Sequence, residues 1–275
     1  MEKYEEKQTI LYVDNISVGY DNGKPVIKNI NMIEKDVVRE GVCTGQVIAV
    51  VGRSGRGKST LFRALTGLSK PSTGNVLITS NESTDQAESA KIVVEGTVGF
   101  VDQKYTLFRH KTVYQIMMYA LRKSKLAKPE KDKTIDEYLS EWGLVEEKYK
   151  YSVELSGGEK QRVAIIEQLL TSKHFIVLDE PAASLDIYAI EKMKESFRRI
   201  LSSNELNTII FSTHDLHLAA ELADSVYVIG HPEGVTDYST VIKHFDLKQM
   251  GIAWQPYGEQ HHNLVNDIKL ALLNS

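Results

Sequence analysis

The chain has 275 residues, of which 42% are hydrophobic and 25% are charged, and its formal net charge is −4. This composition fits a globular protein with a substantial core, and the slight acidity disfavours nucleic-acid binding through a general basic surface. The single cysteine, Cys43, excludes an internal disulfide and favours a reducing cytosol. No apolar run approaches the roughly 18 residues of a membrane span, and the charged start of the sequence predicts no signal peptide.

The first half of the chain begins with a strand pattern. Residues 9–20 alternate and are β-rich, and 26–34 predict a partner strand after a tight turn. Residues 46–52, QVIAVVG, form a continuous apolar run that ends in glycine, which is typical of a buried strand. A helix is predicted from Lys58 to about Leu68. The polar, acidic residues 80–91 predict an exposed excursion.

The second half alternates between strand and helix patterns. After a strand at 97–103, the pattern is helical from about Tyr105 to Tyr149, with a break at Pro129. Three more apolar runs predict strands at 175–180, 207–214 and 224–230. Strands that alternate with helices predict an α/β fold with a mostly parallel sheet. Residues 231–275 predict a small appendage with helical stretches.

The most specific motif is GRSGRGKS, residues 52–59, which fits the phosphate-loop pattern G-x-x-x-x-G-K-[ST]. It follows a predicted buried strand and precedes a predicted helix, as such a loop must; a chance glycine-rich loop is the alternative. Glycines let the backbone curl around phosphates, and the helix N-terminus offers N–H groups and a positive dipole end. We expect Lys58 to reach the β- and γ-phosphates and Ser59 to ligate Mg²⁺. The residues expected to bind nucleotide here are Gly52, Arg53, Ser54, Gly55, Arg56, Gly57, Lys58, Ser59 and Thr60.

A second motif is the acidic end of the predicted strand FIVLDE, residues 175–180. An unpaired carboxylate at Asp179 would be costly at the end of a buried strand, and Mg²⁺ would stabilise it. Glu180 is the natural general base for an attacking water, although a solvated acid pair is the alternative. His214 closes another apolar strand. Alone it would be structural, but beside a phosphate loop we expect it to contact the γ-phosphate.

The stretch LSGGEKQR, residues 155–162, has two glycines that a buried core would not need. With the phosphate loop and FIVLDEP, it makes residues 8–230 resemble the ATP-binding cassette (ABC) ATPases. The resemblance implies a P-loop NTPase core with an N-terminal antiparallel β subdomain and a helical subdomain at about 104–155. In that family LSGG faces the nucleotide of a second subunit. Ser156, Gly157 and Gly158 are therefore expected to cradle a partner's γ-phosphate, so that two ATP molecules join a head-to-tail dimer.

The resemblance assigns further roles position by position. Gln103 matches the glutamine that contacts Mg²⁺ and the attacking water, and Asp186 matches the aspartate that communicates across the dimer. His214 matches the switch histidine. Tyr20 stands where the family places an aromatic residue that stacks on adenine, and Tyr12 is the alternative.

The stretch from Tyr105 to Leu121 would form a groove that receives a coupling helix of a permease. The candidates for this contact are Tyr105, Phe108, Met117 and Met118, and ordinary helix core is the alternative for each methionine.

Three features depart from the family's pattern. Glu167 stands where an arginine is common, which puts local salt bridges in doubt. Arg53 and Arg56 replace small or neutral residues and add positive charge to the phosphate loop. Residues 34–46 are longer than the usual loop between strands, and the sequence offers no functional account of them.

Three classes of ABC ATPase fit these motifs: a transporter subunit, a soluble ATPase of DNA maintenance or translation, and a regulator without turnover. DNA-maintenance members carry coiled coils or zinc modules before LSGG, but this interval has neither sustained heptads nor cysteine pairs. Translation-type members carry two cassettes where this sequence shows one. A regulator usually lacks the base or the histidine, whereas Glu180 and His214 are both present. The transporter subunit is the favoured interpretation.

Residues 1–230 would form the ATPase domain, with 231–275 as an appendage. A cassette without a fused membrane segment resembles an importer subunit or a subunit of a bacterial exporter. Residues 101–121 and, faintly, 241–254 resemble the nitrate, sulfonate and taurine importer ATPases. We expect a homodimer, or a pseudo-dimer with a second ABC subunit, on the cytoplasmic face of the membrane. It would bind separate permease chains and no nucleic acid, and drive import of a small solute.

Overall fold

The computed structural model of the protein describes residues 4–19, 24–42, 44–79, 90–171, 174–183 and 185–275. Its strands are β1 (Tyr4–Gly19), β2 (Pro25–Arg39), β3 (Gln46–Gly52), β4 (Thr73–Thr79), β5 (Ala90–Ile92), β6 (Gly99–Val101), β7 (Phe175–Leu178), β8 (Thr208–Thr213), β9 (Ser225–Gly230) and β10 (Thr240–Asp246). Its α-helices are α1 (Lys58–Leu65), α2 (Val113–Ala120), α3 (Lys128–Glu141), α4 (Gly157–Thr171), α5 (Ile187–Ser203), α6 (Leu216–Leu222) and α7 (Glu259–Leu273).

The central sheet has the strand order β10-β9-β3-β8-β7-β6. Its five strands from β9 to β6 pair in parallel, and β10 pairs antiparallel with β9 at the edge. Every residue of β3, β7, β8 and β9 is buried, which is why these strands appear in the sequence as unbroken apolar runs. Parallel strands end at one common edge, so the segments after β3, β6, β7 and β8 meet there. The predicted α/β fold with a mostly parallel sheet is confirmed.

The second sheet is antiparallel, with the order β2-β1-β4-β5. Helix α1 joins it to the central sheet, because Leu61 and Phe62 are fully buried in a cluster with side chains of both sheets. The predicted antiparallel start is therefore confirmed. Strand β2 continues to Arg39, so the first six of the 13 residues in the supposed long loop at 34–46 are strand. Of the predicted excursion at 80–91, residues 90–91 belong to β5, and residues 80–89 lie outside the described part of the chain.

The helical segment between β6 and β7 differs from the prediction at two points. The helical pattern predicted from Tyr105 begins only at Val113, where Thr112 and Gln115 form a capping box. Pro129 does not break a helix. It lies in the first turn of α3, where its missing N–H has no intrahelical partner to lose. The interruption is instead a 3₁₀ turn and a short loop after α2.

The C-terminal residues extend the central sheet. Strand β10, which the sequence pattern did not indicate, pairs with β9, and α7 packs against α6 with Leu264 and Ile268 fully buried. A buried polar contact ties this segment to β2, because Lys248 Nζ lies 3.6 Å from Glu34 Oε2. Tyr227 donates its hydroxyl to Glu34 Oε1 at 2.8 Å. The extended β2 thus supplies the carboxylate that anchors the C-terminal segment.

Candidate functional site

A cleft of about 750 Å³ lies at the common edge of the parallel strands. It collects residues from five separate parts of the chain: the start of β2, the phosphate loop, the segment after β6, the acidic end of β7 and the end of β8. The residues that line it are Val26, Ser54, Gly55, Gly57, Lys58, Ser59, Thr60, Gln103, Asp179, Glu180, Ala183 and His214. Every residue to which the sequence analysis assigned a catalytic or metal-binding role therefore lines one cleft.

The phosphate loop is shaped by a glycine immediately before α1. Gly57 has a φ of +85°, and a Cβ there would lie 2.6 Å from Ile27 Cγ2, so only glycine fits. Gly57 has no side chain to cap the helix, so the N–H groups at the start of α1 are not capped by a side chain. The start of α1 lines the cleft, where these groups can bind an anion. Lys58 is buried and donates from Nζ to Gly52 O at 2.8 Å. The side chain of Lys58 thus joins the end of the phosphate loop to its first residue.

The remaining residues of this loop have different positions. Gly52 is buried at the end of β3, where a Cβ would lie 2.7 Å from Ile229 O. Arg53 is exposed and Arg56 is partly exposed, and neither lines the cleft. The structure therefore places both arginine side chains outside the predicted phosphate site, although their backbone remains part of the loop.

Ser212 of β8 organises the acidic end of β7. It donates its hydroxyl to Asp179 Oδ1 at 2.7 Å and accepts from the Glu180 N–H at 2.8 Å. This fully buried serine was missed by the sequence analysis. The available signal was its position two residues before His214, at the end of an apolar strand. Both acidic residues are therefore oriented by the neighbouring strand.

The Glu180 carboxylate lies between the two other groups expected at the γ-phosphate. Its Oε1 is 3.2 Å from Lys58 Nζ, and its Oε2 is 2.8 Å from His214 Nδ1. Glu180 has a left-handed backbone, with φ of +51°, which is uncommon for a residue with a side chain. A γ-phosphate that enters this cleft competes with Glu180 for the lysine.

The cleft has oxygen donors suited to Mg²⁺. The Ser59 hydroxyl, the Gln103 amide and the Asp179 carboxylate all line it. The described residues contain no group of three or more histidine, cysteine, aspartate or glutamate side chains arranged to hold a metal. A site with one carboxylate suits Mg²⁺, which binds proteins through one or two carboxylates and takes its other ligands from phosphates and water. The donor set therefore fits Mg²⁺ bound together with a nucleotide.

The LSGG stretch lies outside the cleft. Helix α4 begins at Gly157, after a reciprocal bond pair in which the Ser156 N–H donates to Glu159 Oε2 and the Glu159 N–H donates to Ser156 Oγ. A Cβ on Gly157 would meet nothing within 4 Å, and one on Gly158 would meet only Arg162 Nη1 at 3.7 Å. The described fold therefore has no steric need for either glycine, and Ser156 and Gly157 are exposed.

Asp186 caps a helix in the structure. Its Oδ1 accepts from the Ala189 N–H at 2.8 Å, at the start of α5. The next two residues, Ile187 and Tyr188, are 84% and 73% exposed. Large apolar side chains this exposed in pairs are typical of an interaction surface.

The adenine contact stays a prediction. Tyr20 lies outside the described residues. The alternative, Tyr12, is 40% exposed and lies in a groove on the antiparallel sheet with Ile33 and Leu77. It does not line the cleft, so the structure does not favour Tyr12.

The proposed permease groove includes residues with different exposure. Met117 is fully buried and Met118 packs against the core, so for both methionines the structure favours the helix-core alternative. Tyr105 is buried as well. Phe108 is exposed, and its ring lies 5.2 Å from that of the exposed Tyr119. Phe108 and Tyr119 are the exposed aromatic residues of the predicted surface.

Glu167 is a source of pH dependence on α4. Burial raises the pKa of its carboxyl to about 7, and Arg122 opposes the shift. The folded protein therefore binds an extra proton at Glu167 between pH 4.5 and about 7, and the contribution of this carboxyl to stability falls as the pH rises through the window. We expect Glu167→Gln to remove this fall, by roughly 1–2 kcal/mol between pH 5 and pH 8, in urea unfolding at both values. Glu146→Gln, at an exposed position, should keep the wild-type dependence, and an unchanged slope in Glu167→Gln would contradict the assignment.

Comparison with known proteins identifies the family. A family model described as ABC transporter matches residues 36–183, which include the phosphate loop, LSGG and the acidic end of β7. The chain belongs to the ABC transporter family. The resemblance stated from the motifs is confirmed, while the narrower likeness to nitrate, sulfonate and taurine importers stays a prediction.

Two curated relatives and one solved structure show how far the similarity extends. The sulfate/thiosulfate import ATP-binding protein CysA of Thermosynechococcus vestitus is 35% identical over 188 residues, which cover 68% of this chain and 54% of the relative. The methionine import ATP-binding protein MetN of Corynebacterium diphtheriae is 31% identical over 246 residues, covering 89% and 70%. The structure of cbiO1 from Clostridium perfringens, described as part of the ABC transporter complex cbiONQ, has a TM-score of 0.69 and 28% identity, covering 97% of each chain.

These ABC relatives are longer than the part that aligns. The match spans 53–70% of the length of the first curated relatives, so their other segments have no counterpart in the alignment. Within the described residues, no helix combines the length and the apolar character needed to cross a membrane.

Proposed function

We propose that this chain is the ATP-hydrolysing subunit of an ABC membrane transporter, paired head-to-tail with a second ABC subunit around two ATP molecules. The observation that carries the proposal is the separation of two phosphate-binding features. The cleft collects Lys58, Asp179, Glu180 and His214, while the LSGG glycines lie elsewhere without a steric role in their own chain. A second subunit that brings its own LSGG to this cleft accounts for both features.

The residues of the cleft divide the work of hydrolysis. The backbone of residues 52–60 and the Lys58 ammonium hold the phosphates of ATP. Ser59, Gln103 and Asp179 would hold Mg²⁺, which when bound neutralises charge on the phosphates. Glu180 accepts a proton from the attacking water. His214, whose Nδ1 lies 2.8 Å from Glu180 Oε2, orients the Glu180 carboxylate and reaches the γ-phosphate.

The remaining predicted residues belong to contacts between chains. Ser156, Gly157 and Gly158 cradle the γ-phosphate bound to the other subunit. Asp186, at the start of α5, communicates across the dimer beside the exposed Ile187 and Tyr188. Outside these contacts between chains, Tyr20 is proposed to stack on the adenine of ATP.

Transport is favoured over the two other classes. The curated relatives described above are named as import ATP-binding proteins, which supports a transporter subunit and import of a small solute. A regulator without turnover is disfavoured, because Glu180 and His214 are in contact within the cleft. The subunit would bind permease chains at the cytoplasmic face of the membrane through the helical subdomain at 104–155. We propose 1–230 as the ATPase domain and 231–275 as its C-terminal extension.

Mixing two inactive variants tests the shared sites. Lys58→Ala removes the phosphate-loop lysine, and Gly157→Glu puts a carboxylate into the LSGG cradle where the subunit's own fold has space. Each variant alone should lack turnover, because both sites of its dimer carry the defect. A mixture should recover up to about a quarter of wild-type activity, since half of the dimers are mixed and each of these has one intact site.

The control mixes wild-type protein with Gly157→Glu in the same way. Its ATP turnover sets the scale for the activity of mixed dimers. Wild-type protein that hydrolyses ATP as a monomer, with no recovery in the variant mixture, would contradict the proposal.

A further inference from the structure

The carbonyl of Pro181, next to Glu180, accepts two hydrogen bonds from distant parts of the chain. Tyr105 donates its hydroxyl at 2.6 Å, and Gln161 donates from Nε2 at 3.0 Å. The two donors are buried, at 8% and 2% exposure. Tyr105 belongs to the loop that carries Gln103, and Gln161 belongs to α4, which begins at LSGG. One carbonyl therefore joins the Gln103 loop, the LSGG helix and the acidic end of β7.

The backbone on both sides of this contact is strained. Glu180 and Tyr105 have φ values of +51° and +48°, and residues with side chains keep this conformation only when their surroundings hold it. The Glu180 N–H donates to Ser212 Oγ, and the carbonyl of the following residue, Pro181, accepts from Tyr105 and Gln161. The Glu180 backbone is thus fixed on both of its sides.

Hydrogen bonds to Asp102 fix the loop that carries Tyr105. The Tyr105 N–H donates to Asp102 O at 3.1 Å, and the Asp102 carboxylate accepts from the N–H groups of Lys104 and Thr106. Burial raises the pKa of Tyr105 to about 12, so the phenol keeps its proton at neutral pH and remains a donor.

We propose that Tyr105 and Gln161 are positioning residues for hydrolysis, which hold Glu180 in its productive orientation through the carbonyl of Pro181. The inference rests on the proposed function. It makes the orientation of Glu180 depend on the position of the Gln103 loop and of α4, the two segments that face the permease and the second subunit in that proposal. A shift of either segment then changes turnover without touching the nucleotide.

The test uses Tyr105→Phe, Gln161→Met and the double variant in the full chain. Each single variant should lower kcat by between about twofold and tenfold, the range of one hydrogen bond, with little change in the KM for ATP. The double variant should lose about 100-fold, because neither donor then holds the carbonyl and the base is misplaced. The His214 imidazole NMR signal of the nucleotide-free protein should shift in each variant, since His214 contacts Glu180.

Tyr114→Phe is the matched control. It removes a hydroxyl that donates to Asp132 Oδ1 at 2.6 Å in the same part of the chain, without contact to Pro181. It should lose similar stability while keeping the wild-type kcat and His214 signal. If the double variant fails to fold, the two single variants decide.

If the wild type hydrolyses ATP, and both single variants keep the wild-type kcat and His214 signal, this inference is overturned while the proposed function stands. The inference is also overturned if Tyr114→Phe lowers kcat as much as Tyr105→Phe, because loss of stability would then explain both. A wild type without any turnover overturns the proposed function and this inference together.

Discussion

Lys58→Ala is expected to lower ATP affinity by about 10- to 100-fold and to remove detectable turnover, because a charged donor to phosphate is worth roughly 1.5–3 kcal/mol. The contacts of Lys58 in the structure give a further reason to expect this loss, beyond the match to the sequence motif. Lys58 is buried, bonded to Gly52 O, and 3.2 Å from Glu180 Oε1, so it connects the phosphate loop to the predicted base. Alanine removes the phosphate ligand and also leaves Glu180 without its cationic neighbour. Equilibrium binding of a fluorescent ATP analogue and steady-state hydrolysis measure the two effects.

Lys70→Ala is the control for this substitution, because Lys70 is exposed and does not line the cleft. It should bind and hydrolyse ATP as the wild type does. Circular dichroism and thermal unfolding should show that Lys58→Ala remains folded, since the loop retains Gly57 and the helix behind it. A folded Lys58→Ala protein with wild-type ATP affinity would show that the cleft is not the nucleotide site.

The buried strands could be predicted from sequence because each is covered on both faces. Strands β3, β7, β8 and β9 contain only buried residues, so their sequences are unbroken apolar runs. Strand β10 has one buried residue, Phe245, because it lies at the sheet edge, and its mixed sequence carried no strand pattern. Strand β5 is exposed at every residue and was missed for the same reason.

The helical pattern from Tyr105 to Val113 failed for a local reason. Apolar residues at suitable spacing predict a helix there, but Asp102 binds the backbone N–H groups that follow it, and Tyr105 adopts a left-handed conformation. No helix forms at these residues, and α2 begins only at Val113, after the N-cap Thr112. Tyr105 is nevertheless buried, because its ring belongs to the main hydrophobic core and its hydroxyl donates to the carbonyl of Pro181.

The site could be predicted as a set of residue types but not as a set of contacts. Lys58, Asp179, Glu180 and His214 follow from motifs whose strands end at one edge. The contacts of Ser212 with Asp179 and Glu180 depend on β7 and β8 being neighbours, which no local pattern specifies. The same holds for the position of Glu180 between Lys58 and His214, since these residues are far apart in sequence.

Glu180→Gln is expected to trap ATP in a closed dimer. Glutamine keeps the shape of the side chain but accepts a proton from water poorly, so turnover should fall by about 10²- to 10⁴-fold. It also removes the carboxylate that lies 3.2 Å from Lys58, so the lysine binds the γ-phosphate without competition and ATP affinity should be maintained or raised. Because hydrolysis is the step that removes the bridging γ-phosphate, the ATP-bound dimer should accumulate.

Size-exclusion chromatography with light scattering, in ATP and Mg²⁺, should show Glu180→Gln as a dimer while the wild type returns to the monomer after hydrolysis. Glu137→Gln changes an exposed carboxylate on α3 and should behave as the wild type. A Glu180→Gln protein that binds ATP yet stays monomeric would separate nucleotide binding from pairing. It would remove the reason for placing the LSGG glycines of one subunit at the cleft of another, because the dimer is what gives these glycines a ligand.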